Sequence, residues 1–371
     1  MMKKRIRKIL LAMIPVANNY IFFESEGDFS ENARAVYDYM RKNGYQKNHK
    51  LIWNVKNPGK YCKEKNVIFI NRNDRHLWNR MRWFYYMGRV KYFLFTHPYW
   101  LHEWKKNQVV INLAHGNPFK GCKHRLSHVA DYVLASSEDG VKFRKKEYLD
   151  EPEIVVLGPP RNDWLFSGKE TILKYTKGVG CDRIIFCLPT FKQTETWKDS
   201  DEVNPYSINT IHSKEELYQL NEVLKSCHCM MICKIHHLQA MKGLRMENLS
   251  NIRYLCDSDL EQNGDVLYQL LAGADALLTD FSSVYMDYLL LNRPVGFFAD
   301  TVEEYTRGFT MENPLSYMPG EIIKDYGGLI RFIQNFDKED LWREKRVQVC
   351  NRIHKYQDDR NTERFLRYFN I

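Results

Sequence analysis

Residues 109–120 read Val109-Val-Ile-Asn-Leu-Ala-His-Gly-Asn-Pro-Phe-Lys120, and this stretch indicates both a fold class and a site. The apolar run is typical of a buried strand, and the glycine and proline after His115 indicate a tight corner at its end. In open α/β sheets, ligands bind at the carboxyl ends of strands. We therefore predict that His115 is an active-site residue. The alternative is a histidine whose ring is satisfied within its own turn.

The segments on both sides of this strand alternate between strand-like and helix-like patterns. Asp28-Phe-Ser-Glu31 has the spacing of a capping box, and a helical pattern then runs to Gly44. The same alternation restarts after the turn-rich segment Gly158-Pro-Pro-Arg-Asn-Asp163. Alternating strands and helices predict doubly wound parallel sheets. We expect two α/β domains, residues 1–165 and residues 166–371, with the last two helices of the chain in the second.

The charge balance indicates an anionic partner. The chain has 371 residues, a formal net charge of +9 and a hydrophobic fraction of 44%, which is enough for ordinary cores. A nucleic acid is not expected, because the sequence carries no nucleic-acid-binding signature. Basic residues 3–8 precede a short apolar run that Pro15 interrupts. We expect this segment to lie on an anionic membrane surface, and an N-terminal core helix with a solvated basic end is the alternative.

Neither the cysteines nor the acidic residues form a convincing metal motif. The nine cysteines are scattered, and their one cluster is Cys227, Cys229 and Cys233 on a predicted strand. Buried, reduced thiols explain this cluster better than a metal site. Asp257-Ser-Asp259 is the nearest approach to a metal-binding pair of aspartates. We therefore predict no protein metal site, and we find no motif of a nucleotide-binding P-loop, a dinucleotide-binding fold or a serine hydrolase.

A second histidine ends a strand pattern in the second half of the chain. Lys234 and His236 are two residues apart in Lys234-Ile-His236-His237, so their side chains share one face of the strand. A lysine and a histidine at a strand end can bind phosphate together. We favour His236 over His237 for this role and interpret His237 as structural.

Three further segments could bind an anion. Thr279-Asp-Phe-Ser-Ser283 leads from a strand into a helix, whose free N–H groups and hydroxyls suit an anion, although plain N-capping is the alternative. Pro189-Thr-Phe-Lys192 is another strand-end turn with a hydroxyl and a cation. Arg161 lies in the linker, where most arginines are simply solvated. Together these features suggest a transferase that acts on phosphorylated substrates.

The chain resembles the CDP-glycerol glycerophosphotransferase family, the primases and polymerases of teichoic acid and capsular polymers. The resemblance runs from about Asn18 to the end of the chain. It rests on these segments: Leu113–Lys120, Gly158–Asp163, Leu188–Lys192, Lys234–His236, Leu278–Asp287, Arg293-Pro294 and Glu303–Tyr305.

The resemblance implies a GT-B architecture, with two Rossmann-like domains facing across a cleft. The first would be the acceptor and membrane-side domain and the second the CDP-donor domain. His115 would be the general base, and His236 would stabilise the donor phosphates or the leaving group. The expected substrate contacts are Ala114, Gly116, Asn117, Lys120, Arg161, Pro189, Thr190, Lys192, Lys234, Thr279, Asp280, Ser282, Ser283 and Asp287.

The implied reaction moves glycerol phosphate from CDP-glycerol to a hydroxyl and releases CMP. The implied acceptor is a polyprenyl-diphosphate-linked glycan or a growing polymer at the cytoplasmic face of the plasma membrane. No cofactor is required, although Mg²⁺ can accompany the CDP donor. CDP-ribitol is the alternative donor. A GT-B glycosyltransferase that uses a nucleotide sugar and an inactive scaffold that binds lipid-linked glycans are the alternatives from other classes.

Three positions next to the histidines differ from the family pattern. Ala114 and Asn117 stand where the family usually has tryptophan and threonine, and His237 stands where it has proline. These differences concern the identity of the polyol and the acceptor more than the chemistry. From the chain length, we also expect that the extra N-terminal domain of long polymerases is absent.

Overall fold

The computed structural model describes residues 10–97, 101, 104–119, 121, 125–127, 129–189, 206–235, 249–298 and 309–371. The chain forms two compact α/β units. The first comprises Met1–His115, His124–Asp163 and Asp358–Ile371, and the second comprises Gly116–Lys123 and Trp164–Gln357. The chain therefore passes from the first unit to the second directly after His115.

The first unit is built on a parallel sheet of seven strands. The strands are β1 (Tyr20–Glu24), β2 (Lys50–Asn54), β3 (Val67–Ile70), β4 (Tyr92–Phe95), β5 (Val109–Asn112), β6 (Tyr132–Ala135) and β7 (Glu153–Val156). Their order is β3-β2-β1-β4-β5-β6-β7, so the sheet grows outward in both directions from β1 and β4. This is the doubly wound pattern that the alternation of strands and helices predicts.

Successive strand residues point to opposite faces of the sheet, and helices cover both faces. The helices, numbered along the chain, are α1 (Glu31–Lys42), α2 (Leu77–Arg89), α3 (Glu138–Lys145) and the C-terminal α10 (Asn361–Tyr368). Phe23 of β1 packs in a core with Tyr37 of α1, whereas Phe22 packs on the other side with Trp83 of α2. Both faces of the central strands are therefore buried, as in other parallel sheets.

The second unit repeats the plan with a parallel sheet of six strands in the order β10-β9-β8-β11-β12-β13. The strands are β8 (Arg183–Leu188), β9 (Cys229–Lys234), β10 (Ile252–Leu255), β11 (Ala276–Thr279), β12 (Val295–Phe297) and β13 (Glu321–Ile322). The helices are α4 (Lys214–Ser226), α5 (Asp257–Asn263), α6 (Leu267–Gly273), α7 (Val284–Tyr288), α8 (Tyr326–Asn335) and α9 (Arg343–Ile353). Ile185, Met231 and Leu278 of the central strands lie in one core with Leu220 and Phe332.

The predicted α/β class with parallel sheets is confirmed, and four elements were not predicted. These are α3, α5, α8 and β13, of which β13 has only two residues. None of the described helices is both long and apolar enough to cross a membrane.

The C-terminal helix differs from the sequence prediction, which assigned it to the second domain. Phe365, Leu366 and Phe369 of α10 are buried in the core of the first unit. Asp163 fixes the start of the helix, because its Oδ1 accepts from the Asn361 N–H at 2.9 Å and its Oδ2 from the Thr362 N–H at 2.9 Å. The carboxylate satisfies N–H groups that would otherwise lack partners at the helix N-terminus.

The predicted capping box at residues 28–31 is wrong. The α1 helix begins at Glu31 with Ser30 as its N-cap, two residues later than the box requires. The Asp28 carboxylate instead accepts the Lys56 N–H, at 3.0 Å to Oδ1 and 3.1 Å to Oδ2. The Glu31 side chain is therefore free of a capping role.

We expect Asp163→Ala to loosen the C-terminal helix and lower the free energy of unfolding by about 1–3 kcal/mol, because two backbone N–H groups lose a charged acceptor. Chemical denaturation measures the loss, and hydrogen exchange locates it in residues 358–371. Asp359→Ala, which changes an exposed carboxylate in the same segment, is the matched control. Equal stability of the two variants would contradict this role of Asp163.

Candidate functional site

The corner after β5 has an unusual backbone conformation. Ala114 has a φ of 60°, in the left-handed region that residues other than glycine rarely adopt. Its N–H donates to Asn112 Oδ1 at 2.9 Å. The next side chain, His115, is 57% exposed. Left-handed backbone costs an alanine about 1–2 kcal/mol, so neighbouring groups must hold the corner in place.

The group that holds it is Asn32, a fully buried residue of α1. Its Nδ2 donates to the carbonyl oxygens of Leu113 at 3.0 Å and Ala114 at 2.7 Å. Its Oδ1 accepts the Arg161 N–H at 2.9 Å. The Arg161 guanidinium in turn donates from Nη1 to the His115 carbonyl oxygen. One amide thus joins the start of α1, the end of β5 and the Arg161 segment.

Glu31, directly before Asn32, forms an ion pair with the predicted base. Its Oε1 lies 2.5 Å from His115 Nδ1. Burial alone would raise the pKa of Glu31, but His115 and Arg161 outweigh burial and lower it. The Glu31 charge raises the pKa of His115, against the opposing effects of burial and of Arg161. A carboxylate at Nδ1 fixes the ring so that Nε2 can exchange a proton with a substrate.

A second histidine–carboxylate pair lies beside the first. His97 Nε2 is 2.8 Å from Glu26 Oε2, and the His97 and His115 ring centroids are 4.9 Å apart. His97 follows β4, the strand that pairs with β5, so the two histidines lie at neighbouring strand ends. Sequence analysis missed Glu26, Glu31, Asn32 and His97. Glu31 was noticed, but only for its helix-capping spacing.

The residues after His115 belong to the second unit, where Asp287 holds them. Asn117 Nδ2 donates to Asp287 Oδ1 at 3.2 Å, and Tyr268 Oη donates to Asp287 Oδ2 at 2.6 Å. Asp287 is fully buried. In this structure, Asp287 therefore supports the loop that carries Gly116 and Asn117. Direct contact of Asp287 with substrate stays a prediction.

The Thr279–Ser283 segment lies at the end of β11, as predicted. The Thr279 hydroxyl donates to the Leu188 carbonyl oxygen at 2.7 Å, which ties the ends of β11 and β8 together. Asp280 is fully buried, whereas Ser282 and Ser283 are half-buried. Ser283 precedes α7 without a side-chain capping bond among the described residues. Anion binding by this segment stays a prediction.

Lys234, at the end of β9, is buried and paired. Its Nζ lies 2.6 Å from Asp257 Oδ1 at the start of α5. Asp257 thus balances the Lys234 charge, which accounts for the aspartate that sequence analysis weighed as a metal ligand. Cys227, Cys229 and Cys233 are free thiols.

Four predicted site residues, Lys120, Thr190, Lys192 and His236, lie outside the described residues, as does the basic segment 3–8. Pro189 is described and is buried at the end of β8. The structure thus brings together His115, Ala114 and Arg161 in the first unit. In the second unit it joins Asn117 to Asp287.

Comparison with known proteins identifies the family of this chain. Residues 6–370 match the family described as CDP-Glycerol:Poly(glycerophosphate) glycerophosphotransferase. The chain belongs to this family. The predicted resemblance is therefore confirmed.

Individual relatives include polymerases and primases. The chain is 28% identical over 355 residues to the teichoic acid poly(glycerol phosphate) polymerase of Staphylococcus epidermidis, covering 86% of this chain and 46% of that protein. It thus spans about half the length of that relative. It is 25% identical over 391 residues to the teichoic acid ribitol-phosphate primase of Bacillus spizizenii, covering 96% of this chain and 92% of that protein.

A solved structure has the same fold. The structure of the wall teichoic acid polymerase TagF matches with a TM-score of 0.78 and 23% identity, covering 99% of this chain and 93% of that chain. The protein accordingly has the GT-B architecture of two Rossmann-like units that the resemblance implied.

We expect Asn32→Leu to destabilise the protein by about 2–4 kcal/mol, because the buried Leu113 and Ala114 carbonyls and the Arg161 N–H lose their partner. Chemical denaturation measures the change. Asn43→Leu is the control, since Asn43 is an exposed residue whose Nδ2 donates to Tyr39 within α1. A loss below about 0.5 kcal/mol, the range of ordinary surface substitutions, would show that Asn32 does not hold the corner.

Proposed function

We propose that this protein transfers glycerol phosphate from CDP-glycerol to a hydroxyl group of a membrane-lipid-linked glycan or growing teichoic acid-type polymer, with release of CMP. The observation that carries the proposal is the Glu31–His115 pair at the carboxyl end of β5, in a member of the glycerophosphotransferase family. An exposed imidazole backed by a half-buried carboxylate is suited to deprotonate a hydroxyl.

In this mechanism, His115 Nε2 accepts the proton of the acceptor hydroxyl. The acceptor oxygen forms a bond to the phosphorus that bears glycerol, and the bond from that phosphorus to the CMP oxygen breaks. CMP leaves with the electron pair of the broken bond. Glu31 stabilises the imidazolium that forms, and it orients the ring through Nδ1. Glu31 therefore acts as a positioning residue for His115.

The donor phosphates are assigned to the second unit. We propose Lys234, His236, Thr190 and the hydroxyls of Ser282 and Ser283 as their contacts. Pro189, Lys192, Thr279 and Asp280 are proposed as further contacts. Cations and N–H groups aimed at the phosphates stabilise the charge that develops on them during transfer. Mg²⁺ bound to the CDP diphosphate is compatible with this proposal, so the assay below includes arms with Mg²⁺ and with EDTA.

For two residues we propose a supporting role in place of the predicted contact with the donor. The described contacts of Arg161 and Asp287 run to the backbone of the His115 corner and to Asn117. We propose that both residues fix Ala114, Gly116 and Asn117 in place, and that Lys120 completes that loop.

The alternative donor within the family is CDP-ribitol. The ribitol-phosphate primase among the relatives favours it, with 25% identity over nearly the whole of both chains. The two donors differ in the hydroxyl groups of their polyol. The first assay therefore compares turnover of CDP-glycerol with turnover of CDP-ribitol.

A lipid-linked acceptor requires the protein to work at a membrane, and α2 offers a suitable surface. Leu77, Trp78, Met81 and Tyr85 of this helix are 72%, 71%, 52% and 45% exposed. Their spacing places them along one side of the helix. Arg80 and Arg82 are exposed beside them. Exposed aromatic and aliphatic side chains with flanking cations are typical of helices that lie in a membrane interface.

Described residues that follow the basic N-terminal segment in sequence pack against α2. Ile14 lies against Gly88 of α2, where an added Cβ would come within 2.7 Å of the Ile14 side chain. The Ala17 N–H donates to the Arg89 carbonyl oxygen at 2.8 Å. We propose that α2 and the N-terminal segment together bind the anionic cytoplasmic face of the plasma membrane.

We expect the purified protein to release CMP from CDP-glycerol only when a lipid-linked disaccharide acceptor is present. His115→Ala should lower kcat by about 10²–10⁴-fold, the usual contribution of a general base, and Glu31→Gln by about tenfold or more. A parallel assay with CDP-ribitol identifies the polyol. Glu339→Gln, an exposed glutamate of the second unit, is the control.

Three results would contradict the proposal. Wild-type turnover in folded His115→Ala protein would remove His115 from the chemistry. Turnover of a nucleotide sugar without turnover of either CDP-polyol would establish the glycosyltransferase alternative. Binding of lipid-linked glycan with no turnover of any donor would favour the inactive scaffold.

We expect the double variant Leu77→Gln/Trp78→Gln to lose most of its co-sedimentation with liposomes that contain anionic lipid, because two large apolar side chains no longer enter the interface. Leu341→Gln/Trp342→Gln is the matched control, since this pair is also exposed but lies in the second unit. Equal binding of the two double variants would show that α2 is not the membrane surface.

A further inference from the structure

The His115 corner contains a group of side chains with the composition of a transition-metal site. Glu26, His97 and His115 each offer one ligand atom, and these atoms all lie within 4.8 Å of one another. Among the described residues, these three side chains form the one set of histidine and carboxylate groups close enough to hold a metal ion. Two imidazoles and one carboxylate, with room for water, form the ligand set of many zinc sites.

The partners of the two rings strengthen this comparison. Histidine ligands in metal sites usually bind a carboxylate or another polar group through the nitrogen that does not face the metal. His115 Nδ1 is paired with Glu31 at 2.5 Å. His97 Nδ1 lies 3.3 Å from the buried hydroxyl of Thr96, which also accepts the Glu26 N–H at 3.1 Å. Both rings thus have a partner on Nδ1, which leaves Nε2 of each ring as the nitrogen for a metal ion.

We propose that Glu26, His97 and His115 form a zinc-binding site, with His97 Nε2, His115 Nε2 and a Glu26 carboxylate oxygen as ligands. Water would occupy the fourth position. Zinc–nitrogen and zinc–oxygen bonds of about 2.0–2.2 Å place neighbouring ligand atoms about 3.3 Å apart. His97 Nε2 and Glu26 Oε2 are already 2.8 Å apart. This distance is shorter than zinc requires, and the other ligand atoms lie within 4.8 Å. Binding zinc therefore requires small movements of the exposed His115 ring or Glu26 side chain.

Zinc at this site would compete with catalysis, a consequence that rests on the proposed function. The metal would occupy the Nε2 lone pair that accepts the hydroxyl proton. Bound zinc would therefore inhibit transfer, and a chelator would restore it. His97 and Glu26 have no assigned step in the proposed transfer, so their substitution should abolish the inhibition by zinc, measured for each variant relative to its own metal-free turnover.

Direct binding is the first test, because it is independent of any activity. The apoprotein is titrated with Zn²⁺ by calorimetry, and with Co²⁺ to follow the visible absorption of the bound ion. We expect one site with a micromolar or lower Kd in the wild-type protein. His97→Gln and Glu26→Gln should each weaken this site at least tenfold. His76→Gln is the matched control, because His76 is an exposed histidine outside the group.

Inhibition is the second test. We expect Zn²⁺ to inhibit CMP release by the wild-type protein and EDTA to reverse the inhibition, whereas His97→Gln should need at least tenfold more Zn²⁺. Equal Zn²⁺ affinity of wild-type protein and folded His97→Gln would overturn the site. Site-specific binding without any CMP release in the absence of metal would leave the site in place and overturn the proposed transferase function.

Discussion

The His115 corner depends on one buried amide, that of Asn32. Its Nδ2 donates to the carbonyl oxygens of Leu113 and Ala114, and its Oδ1 accepts the Arg161 N–H. Leu113 and Ala114 lie 81 and 82 positions from Asn32, and Arg161 lies 129 positions from it. Without the amide, the left-handed Ala114 would have little reason to persist, because extended or helical backbone is less costly for alanine. The position of His115 follows directly from that conformation.

The same helix start supplies the partner of His115. Glu31 and Asn32 are adjacent in sequence. The residue that fixes the corner and the residue that pairs with the His115 imidazole are therefore both positioned by the start of α1. Glu31 itself has a φ of 59°. Two left-handed residues that face one ion pair indicate that backbone strain is accepted here to aim side chains, as is common at functional sites. The proposed chemistry and the proposed zinc site both use this arrangement.

Local patterns were sufficient to predict every described strand except β13, because buried parallel strands are short, apolar and followed by turn residues. The strand that ends before His115 and the β9 strand that ends at Lys234 lie where the apolar runs predict them. What sequence could not supply was pairing over distance. Asn32 and Ala114 are 82 positions apart, and local spacing assigned Glu31 to a capping box. Likewise, the sequence pattern of Phe365 and Leu366 indicates that they are buried but not in which core. Only the structure shows that α10 packs in the first unit.

We infer that Glu31 holds His115 with Nδ1 protonated and Nε2 available. Nitrogen-15 NMR of the imidazole side chains tests this claim directly, with the His115→Ala spectrum used to assign the His115 signals. At a pH where the ring is neutral, the account predicts a protonated Nδ1 and an unprotonated Nε2, with this preference weakened in Glu31→Gln. A neutral His115 that carries its proton on Nε2 would contradict the account, because that nitrogen could not then accept a proton from the acceptor hydroxyl.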